Sequence, residues 1–228
     1  MYLAIETSTA RGSLAIGSSA DAVHEVSWLR ENESKGSHSE KITQELIVLL
    51  EKSGRTLDEI KSLIVSVGPG SFTGIRVAIN FAKSLGYARN LPLLAVNSLF
   101  AHAATVPPSP QPLLVMTNAF RNLVFVATYN YQNQWIETHA PSVTSLPELE
   151  MLVQIPHNCI GSGWSEYQTF LPENSRKLLD FKADWPQHPS ARALIGLVAN
   201  AQSFSTMDWK TLSPLYLRRS AAEESLKP

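Results

Sequence analysis

Cysteine is nearly absent from this chain: Cys159 is the only one in 228 residues, so no internal disulfide can form. A chain without a disulfide framework suits a reducing compartment. Long apolar runs are missing too, and no stretch approaches the ~20 residues that a membrane-crossing helix needs. The opening residues, Met1-Tyr2-Leu3-Ala4-Ile5-Glu6, lack the basic and apolar regions of a secretory leader and read at once as a strand. Together these absences predict a cytoplasmic protein. An excess of one charge is also lacking: 19 Lys and Arg stand against 20 Asp and Glu, for a formal net charge of -1. A chain that gripped nucleic acid by itself would carry a clear basic excess, so any such contact is expected to be indirect or weak.

What is present suits two small cores. Hydrophobic residues make up 44% and charged residues 17% of the chain, a balance that argues against disorder. Leu3, Ile5, Leu14 and Ile16 alternate with small or polar residues around turn material at Thr9 to Gly12, which predicts a hairpin. Ala22 to Trp28 supplies a third strand. Ser37-His38-Ser39-Glu40 has the serine-to-glutamate spacing of a capping box and opens a helix that Gly54 ends. A strand at Ser62 to Val67, a helix to about Arg89, a strand at Leu93 to Val96 and a helix from Ser98 follow.

Pro107-Pro108-Ser109-Pro110 then denies both helix and central strand and marks a linker. Past it the order begins again. Pro112 to Thr117 and Leu123 to Tyr129 form a second hairpin, Trp135-Ile136 lies in a third strand, and a helix is expected from Ser145 to Ile155. A strand near Cys159, a helix around Trp164, a strand at Leu178 to Phe181 and a long helix from Ser190 to Ser203 complete the pattern. Hairpin, third strand, then alternating helix and strand, occurring twice, indicates an internal duplication. That is the plan of the actin-like superfamily: an α/β fold of two mixed-sheet subdomains related to ribonuclease H. The expected domains are residues 1–106 and 107–228.

Gly68-Pro69-Gly70-Ser71-Phe72-Thr73-Gly74 joins a strand to a helix. It is not a P-loop, since Ile75-Arg76 follow Gly74 where lysine would stand, and its third glycine falls one residue late for a dinucleotide fingerprint. Two readings stay open: a tight turn alone, or a turn that also contacts an anion or a partner. In the following helix Ala78, Ala82 and Gly86 form a smooth strip at i, i+4 and i+8, with Ile75, Ile79 and Leu85 beside it. Small residues in a row allow close approach of another element, either this chain's own sheet or a second protein.

Leu3 to Ser8, Ser37 to Glu40, Gly68 to Arg76 and Pro214-Leu215-Tyr216-Leu217-Arg218 occur in this order, with Gly161-Ser162-Gly163-Trp164 between the last two. In these motifs the chain resembles the bacterial TsaB (YeaZ) family, within the wider TsaD, Kae and glycoprotease-like group. The resemblance spans nearly the whole chain and is firmest over the first ~100 residues. It implies a role in making N6-threonylcarbamoyladenosine at position 37 of tRNAs that read codons beginning with A. It also implies a catalytic paralogue, TsaD, as partner, a small ATPase, TsaE, and a homodimer when the partner is absent. The family's partner surface is formed by two helices, here residues 38–52 and 74–89. On them the expected contacts are Ile42, Leu46, Leu49, Ile75, Ala78, Ile79, Ala82 and Gly86. The loop residues Gly68, Pro69, Gly70, Ser71, Phe72, Thr73, Gly74 and Arg76 are the ones that match the family.

Nothing in the residues themselves supplies a catalyst. ATP-using members of the superfamily bind phosphate and Mg2+ through an Asp-x-Gly pattern in each hairpin, whereas these hairpins read Glu6-Thr7-Ser8-Thr9 and Asn118-Ala119-Phe120-Arg121. Family relatives usually carry Asp-Ala-Arg at the second, so the segment from Asn118 departs from the pattern. The catalytic paralogue holds its metal partly with a His-x-x-x-His pair. Here Ser98 stands at the first position and only His102 remains. None of His24, His38, His139, His157 or His188 has another histidine four residues away, and His38 is expected on the surface. Cys159 is expected to be buried packing. The expectation is therefore no catalysis, no metal and no cofactor bound by this chain alone, with a nucleotide possible only at an assembled interface. Two alternatives stand beside it: a stand-alone homodimeric scaffold, and a degenerate actin-fold kinase or glycoprotease-like enzyme.

Overall fold

The structure, a computed structural model, describes residues 1–19, 22–29, 38–200 and 204–218. Its chain divides into two compact units, one of Met1–Thr105 with His188–Leu215, the other beginning at Val106–Gln187 and including Tyr216 to Arg218.

The first unit opens with β1 (Tyr2–Glu6), β2 (Arg11–Gly17) and β3 (Val23–Leu29), an antiparallel meander. Then come α1 (His38–Ser53), β4 (Ser62–Ser66), α2 (Phe72–Arg89), β5 (Leu93–Val96) and α3 (Ser98–Ala103). β4 pairs parallel to β1, and β5 parallel to β4, so the sheet order is β3-β2-β1-β4-β5. Strands buried on both faces need helices on both faces. Leu3, Ile5, Leu14, Ile16, Leu63 and Val65 point to the α1 and α2 side, while Ala4, Ala15 and Ile64 point to the other. Each fully buried leucine or isoleucine here contributes about 2 kcal/mol.

The second unit repeats the order with β6 (Leu113–Asn118), β7 (Leu123–Tyr131), β8 (Trp135–Ser145), α4 (Leu149–Leu152), β9 (His157–Ile160), α5 (Ser162–Tyr167), α6 (Glu173–Leu178) and β10 (Leu179–Phe181). Its sheet order, β8-β7-β6-β9-β10, is that of the first sheet strand for strand. The fold is a duplicated actin-like one.

Three details differ from expectation. The last helix, α7 (Ala191–Asn200), packs on the first sheet rather than the second. Ala191, Leu194, Ile195 and Val198 cover the small residues Ala4 and Ala15, a face that would otherwise lie open. Ser13 Oγ and Glu25 Oε1 accept the amides of Ala191 and Arg192, anchoring the helix start. The expected continuous second domain, 107–228, thus gives up this helix to the first. The helix expected from Ser145 to Ile155 is only α4: Glu148 accepts from Ser145 N as a capping glutamate does, but Ser145 still belongs to β8, and Val153 leaves the helical region ahead of Pro156. The short α6 had no periodic signal. Ser37, expected to cap α1, lies outside the described residues.

Candidate functional site

The turn between β1 and β2 and the glycine-rich loop close on each other inside the first unit. Glu6 ends β1 fully buried, and its Oε1 accepts from Ser8 N at 2.5 Å, so the carboxyl group caps its own turn. Thr7 Oγ1 donates to Gly74 O at 2.7 Å, and Ser71 N donates to Ser8 O at 2.7 Å. This contact is possible only with glycine. A Cβ on Gly70 would lie 2.3 Å from Ser8 O, and one on Gly74 would lie 1.9 Å from Thr7 O. Ser71 caps α2 by accepting from Gly74 N, and the loop's other end is held by Ser98, whose amide donates to Gly68 O and whose hydroxyl donates to Pro69 O. Leu215 N donates to Val67 O, which fixes the Pro214-Leu215 motif beside the same loop.

His38 corrects the expectation of a surface position. It is buried, because Trp28 Nε1 donates to its Nδ1 at 3.0 Å, which leaves Nε2 as the protonated nitrogen facing Thr9 O at 3.0 Å. The histidine thus ties α1 and β3 to the tip of the first turn.

The eight residues expected to face a partner lie elsewhere. Ile42, Leu46, Leu49, Ile75, Ala78, Ile79 and Ala82 are all buried in the first unit's own core, and Gly86 is buried where a Cβ would meet Leu93 Cδ1 at 2.8 Å. The small-residue strip lets α2 lie close on β1 and β4. What these helices leave outward is Ile47, 54% exposed, and Tyr87, 70% exposed, with Val48, Val77, Phe81 and Leu85 half-buried. Arg76 is exposed and places its guanidinium 3.9 Å over the Phe72 ring.

The second unit reproduces the clasp with other residues. Asn118 ends β6, and its Oδ1 accepts from Phe120 N at 2.6 Å, as Glu6 accepts from Ser8 N. Tyr167 OH donates to the same oxygen at 3.0 Å, and Asn118 N donates to Ser162 Oγ at 3.1 Å. Gly163 brings α5 against this strand, since a Cβ there would meet Met116 O at 2.9 Å. Phe120, Arg121 and Asn122 take φ of 62°, 55° and 58°, three left-handed residues in succession without a glycine. Arg218 steadies them by donating to the carbonyls of Ala119 and Phe120. Phe120 points outward and is 67% exposed, rather than filling the place of a phosphate.

The remaining titratable groups sit apart. Ser98 and His102 are both buried, and Ser98 spends its hydroxyl on Pro69 O. A single imidazole there does not make a metal site. Cys159 is fully buried in the second core, and burial pushes its thiol far above the ordinary range, which favours the protonated form. Burial also lowers the pKa of His157, whose Nδ1 faces Ile155 O at 2.7 Å. Among the described residues no three His, Cys, Asp or Glu side chains converge as a metal site would require. No helix is long and apolar enough to cross a membrane.

Comparison with known proteins agrees with this geometry. The chain is 27% identical to the tRNA threonylcarbamoyladenosine biosynthesis protein TsaB of Bacillus subtilis (strain 168), over 97% of this chain and 95% of the relative. It is 33% identical to the tRNA N6-adenosine threonylcarbamoyltransferase of Caldicellulosiruptor bescii, but over only 40% of this chain and 29% of that protein. A Pseudomonas aeruginosa crystal structure, of an uncharacterized protein with similarity to peptidase YEAZ, superposes with a TM-score of 0.78 and 21% identity, covering 95% of this chain and 99% of that one. Residues 32–226 match the family model TsaD: tRNA N6-adenosine threonylcarbamoyltransferase, and the chain belongs to that family.

Proposed function

We propose that this chain is a non-catalytic subunit in the formation of N6-threonylcarbamoyladenosine on tRNA, supporting a catalytic TsaD-type paralogue together with a TsaE-type ATPase. The observation that carries this reading is the pair of closed turns. Phosphate binding in such hairpins needs free backbone amides, but Ser8 N and Phe120 N are each taken by the side chain two residues earlier. The chain covers 95% of the Bacillus subtilis TsaB but only 29% of the Caldicellulosiruptor bescii transferase, which supports the same reading. Any nucleotide in the assembly is then held with the catalytic subunit rather than by this chain alone. Domain docking uses the outward sides of α1 and α2, centred on Ile47, Val77 and Phe81, and a homodimer through the same face forms when the partner is absent.

Reconstitution tests the function: product from the paralogue, the ATPase and an adenylate-forming enzyme should require this chain, and the chain alone should give none. Equal product without it would sink the reading and bring forward the homodimeric scaffold. The surface has its own test. Ile47→Arg should leave the melting temperature unchanged and weaken the complex at least tenfold, measured by titration calorimetry; unchanged affinity would move the interface elsewhere.

A further inference from the structure

The ends of β1 and β4 hold a group of polar atoms that neither the clasp nor the proposed function uses. The two strands run parallel with Ile5 opposite Val65, which sets the next residues, Glu6 and Ser66, side by side. Glu6, Ser66 and Ser8 are 0%, 1% and 3% exposed. Oε1 of Glu6 is bonded to Ser8 N, but Oε2, Ser8 Oγ and Ser66 Oγ make no direct hydrogen bond. Both hydroxyls lie near enough to the carboxyl group to draw its pKa down, against the larger effect of burial. Three buried oxygens on neighbouring strand ends, none with a direct partner, can be satisfied by a single buried water, since such waters typically make about three hydrogen bonds.

The charge must be settled as well. An isolated carboxylate taken out of water costs several kcal/mol unless it is paired or neutralised. The basic groups on the elements around β1 are directed elsewhere. Arg11 on β2 donates to Ser27 Oγ, Arg192 on α7 donates to Val23 O, and His38 on α1 is engaged by Trp28 and Thr9. Arg76, Lys83 and Arg89 stand off α2's packed face, which is Gly74, Ile75, Ala78, Ile79 and Ala82. β4 carries no titratable residue. His188, ahead of α7, lies near Arg11, and His102 is buried in α3.

We propose that Glu6, Ser8 and Ser66 form a binding site for one buried water, around which Glu6 is held as the neutral carboxylic acid, and that its ionisation unfastens the first turn from the glycine-rich loop. The neutral acid donates its O–H to the water, and the serine hydroxyls complete the shell. Burial raises the carboxyl's pKa, in keeping with this arrangement. On ionisation the charge needs bulk water, which reaches it only if the Thr7–Gly74 and Ser8–Ser71 bonds open.

Because the folded form of a group with a raised pKa binds more protons, its contribution is whole below the ordinary glutamate value of 4.5 and is lost as pH rises through the folded value. Urea unfolding of the wild type and Glu6→Gln from pH 4.5 to 9 reads this directly. The wild-type unfolding constant should rise, relative to the variant, by up to about tenfold per pH unit across that window. Parallel pH profiles would overturn the proposal. Should Glu6→Gln fail to fold, the wild-type Ser8 amide resonance reports the same event, because that amide binds Glu6. Its titration at or below the ordinary glutamate value would overturn the proposal, and titration well above would support it. A nuclear Overhauser effect from a long-lived water to the Ser8 amide is expected, and its absence counts against the site. Stability at pH 8 that rises with sodium or potassium chloride but not with choline chloride would make the occupant a cation and overturn the neutral acid.

Discussion

Gly74→Ala tests the closure of the first turn most directly. In an exposed helix this change adds about 1 kcal/mol of stability, because alanine loses less conformational freedom. Gly74 is not exposed. The new methyl would sit 1.9 Å from Thr7 O, while ordinary contact between carbon and oxygen begins near 3.3 Å, so β1's turn and α2 must separate by more than about 1 Å. Thr7 O is backbone and the Cβ position is fixed by the backbone, so no side-chain rotation relieves the clash. Overpacking of this kind costs about 1–3 kcal/mol, and the separation also stretches the Thr7 Oγ1–Gly74 O bond, worth about 1 kcal/mol. Against the helix gain the net loss is about 1–3 kcal/mol. For a chain of this length each kcal/mol shifts the melting temperature by about 2–4 °C, so a fall of about 2–12 °C is expected by differential scanning calorimetry. Gly54→Ala is the control, since a Cβ at that exposed position meets nothing within 4 Å although φ is +63°. Its cost is the left-handed strain alone, about 1 kcal/mol. A Gly74→Ala protein as stable as wild type would refute the idea that the loop and turn are pressed together.

Ala82→Arg should unfold the first unit rather than merely block docking, because Ala82 is fully buried and an unpaired interior charge costs about 3–5 kcal/mol; native circular dichroism with lost partner binding would contradict this. His38→Ala removes the acceptor of Trp28 Nε1 and the donor to Thr9 O, so a loss of about 2–3 kcal/mol and a changed Trp28 emission are expected in urea titrations. Phe120→Gly relieves left-handed strain at a 67% exposed position and should stabilise the second unit by about 1 kcal/mol, read as a higher melting temperature; a lower one would show that the Phe120 ring packs usefully.

Much of the fold was legible because its signals are local. Alternation at Leu3 to Ile16, the glycine-rich turn at Gly68 and the proline run at Pro107 each fix their own segment, and the repeated order exposed the duplication. The residues expected to meet a partner lie in the core for a physical reason. A helix with apolar residues on most of its circumference has two candidate faces, and periodicity cannot say which one meets the sheet. Ala78, Ala82 and Gly86 were the inner face because close packing on β1 and β4 needs small residues as much as a partner helix would. His38 was misplaced because its burial depends on Trp28, ten residues earlier and on β3. The assignment of α7 to the first sheet was equally beyond local reading, since it rests on a contact with Ser13 178 positions away.

The two clasps carry the synthesis furthest. Glu6 and Asn118 occupy the same place in the repeated topology, the last residue of the unit's first strand, and each accepts from the amide two residues on. A carboxyl oxygen and an amide oxygen serve equally for that bond, so closing the turn requires only an acceptor of the right reach. Restoring an open, phosphate-ready turn would require more than inserting glycine at Ser8 or Phe120. The accepting side chain would also have to go, and in the first unit Gly70 and Gly74 would still cover Ser8 and Thr7 from above. Closure is therefore built into each unit twice over, by the side chain beneath the turn and by the helix start packed beside it. Such a construction favours a scaffold that presents its surfaces to another subunit over a degenerate kinase that has lost one ligand.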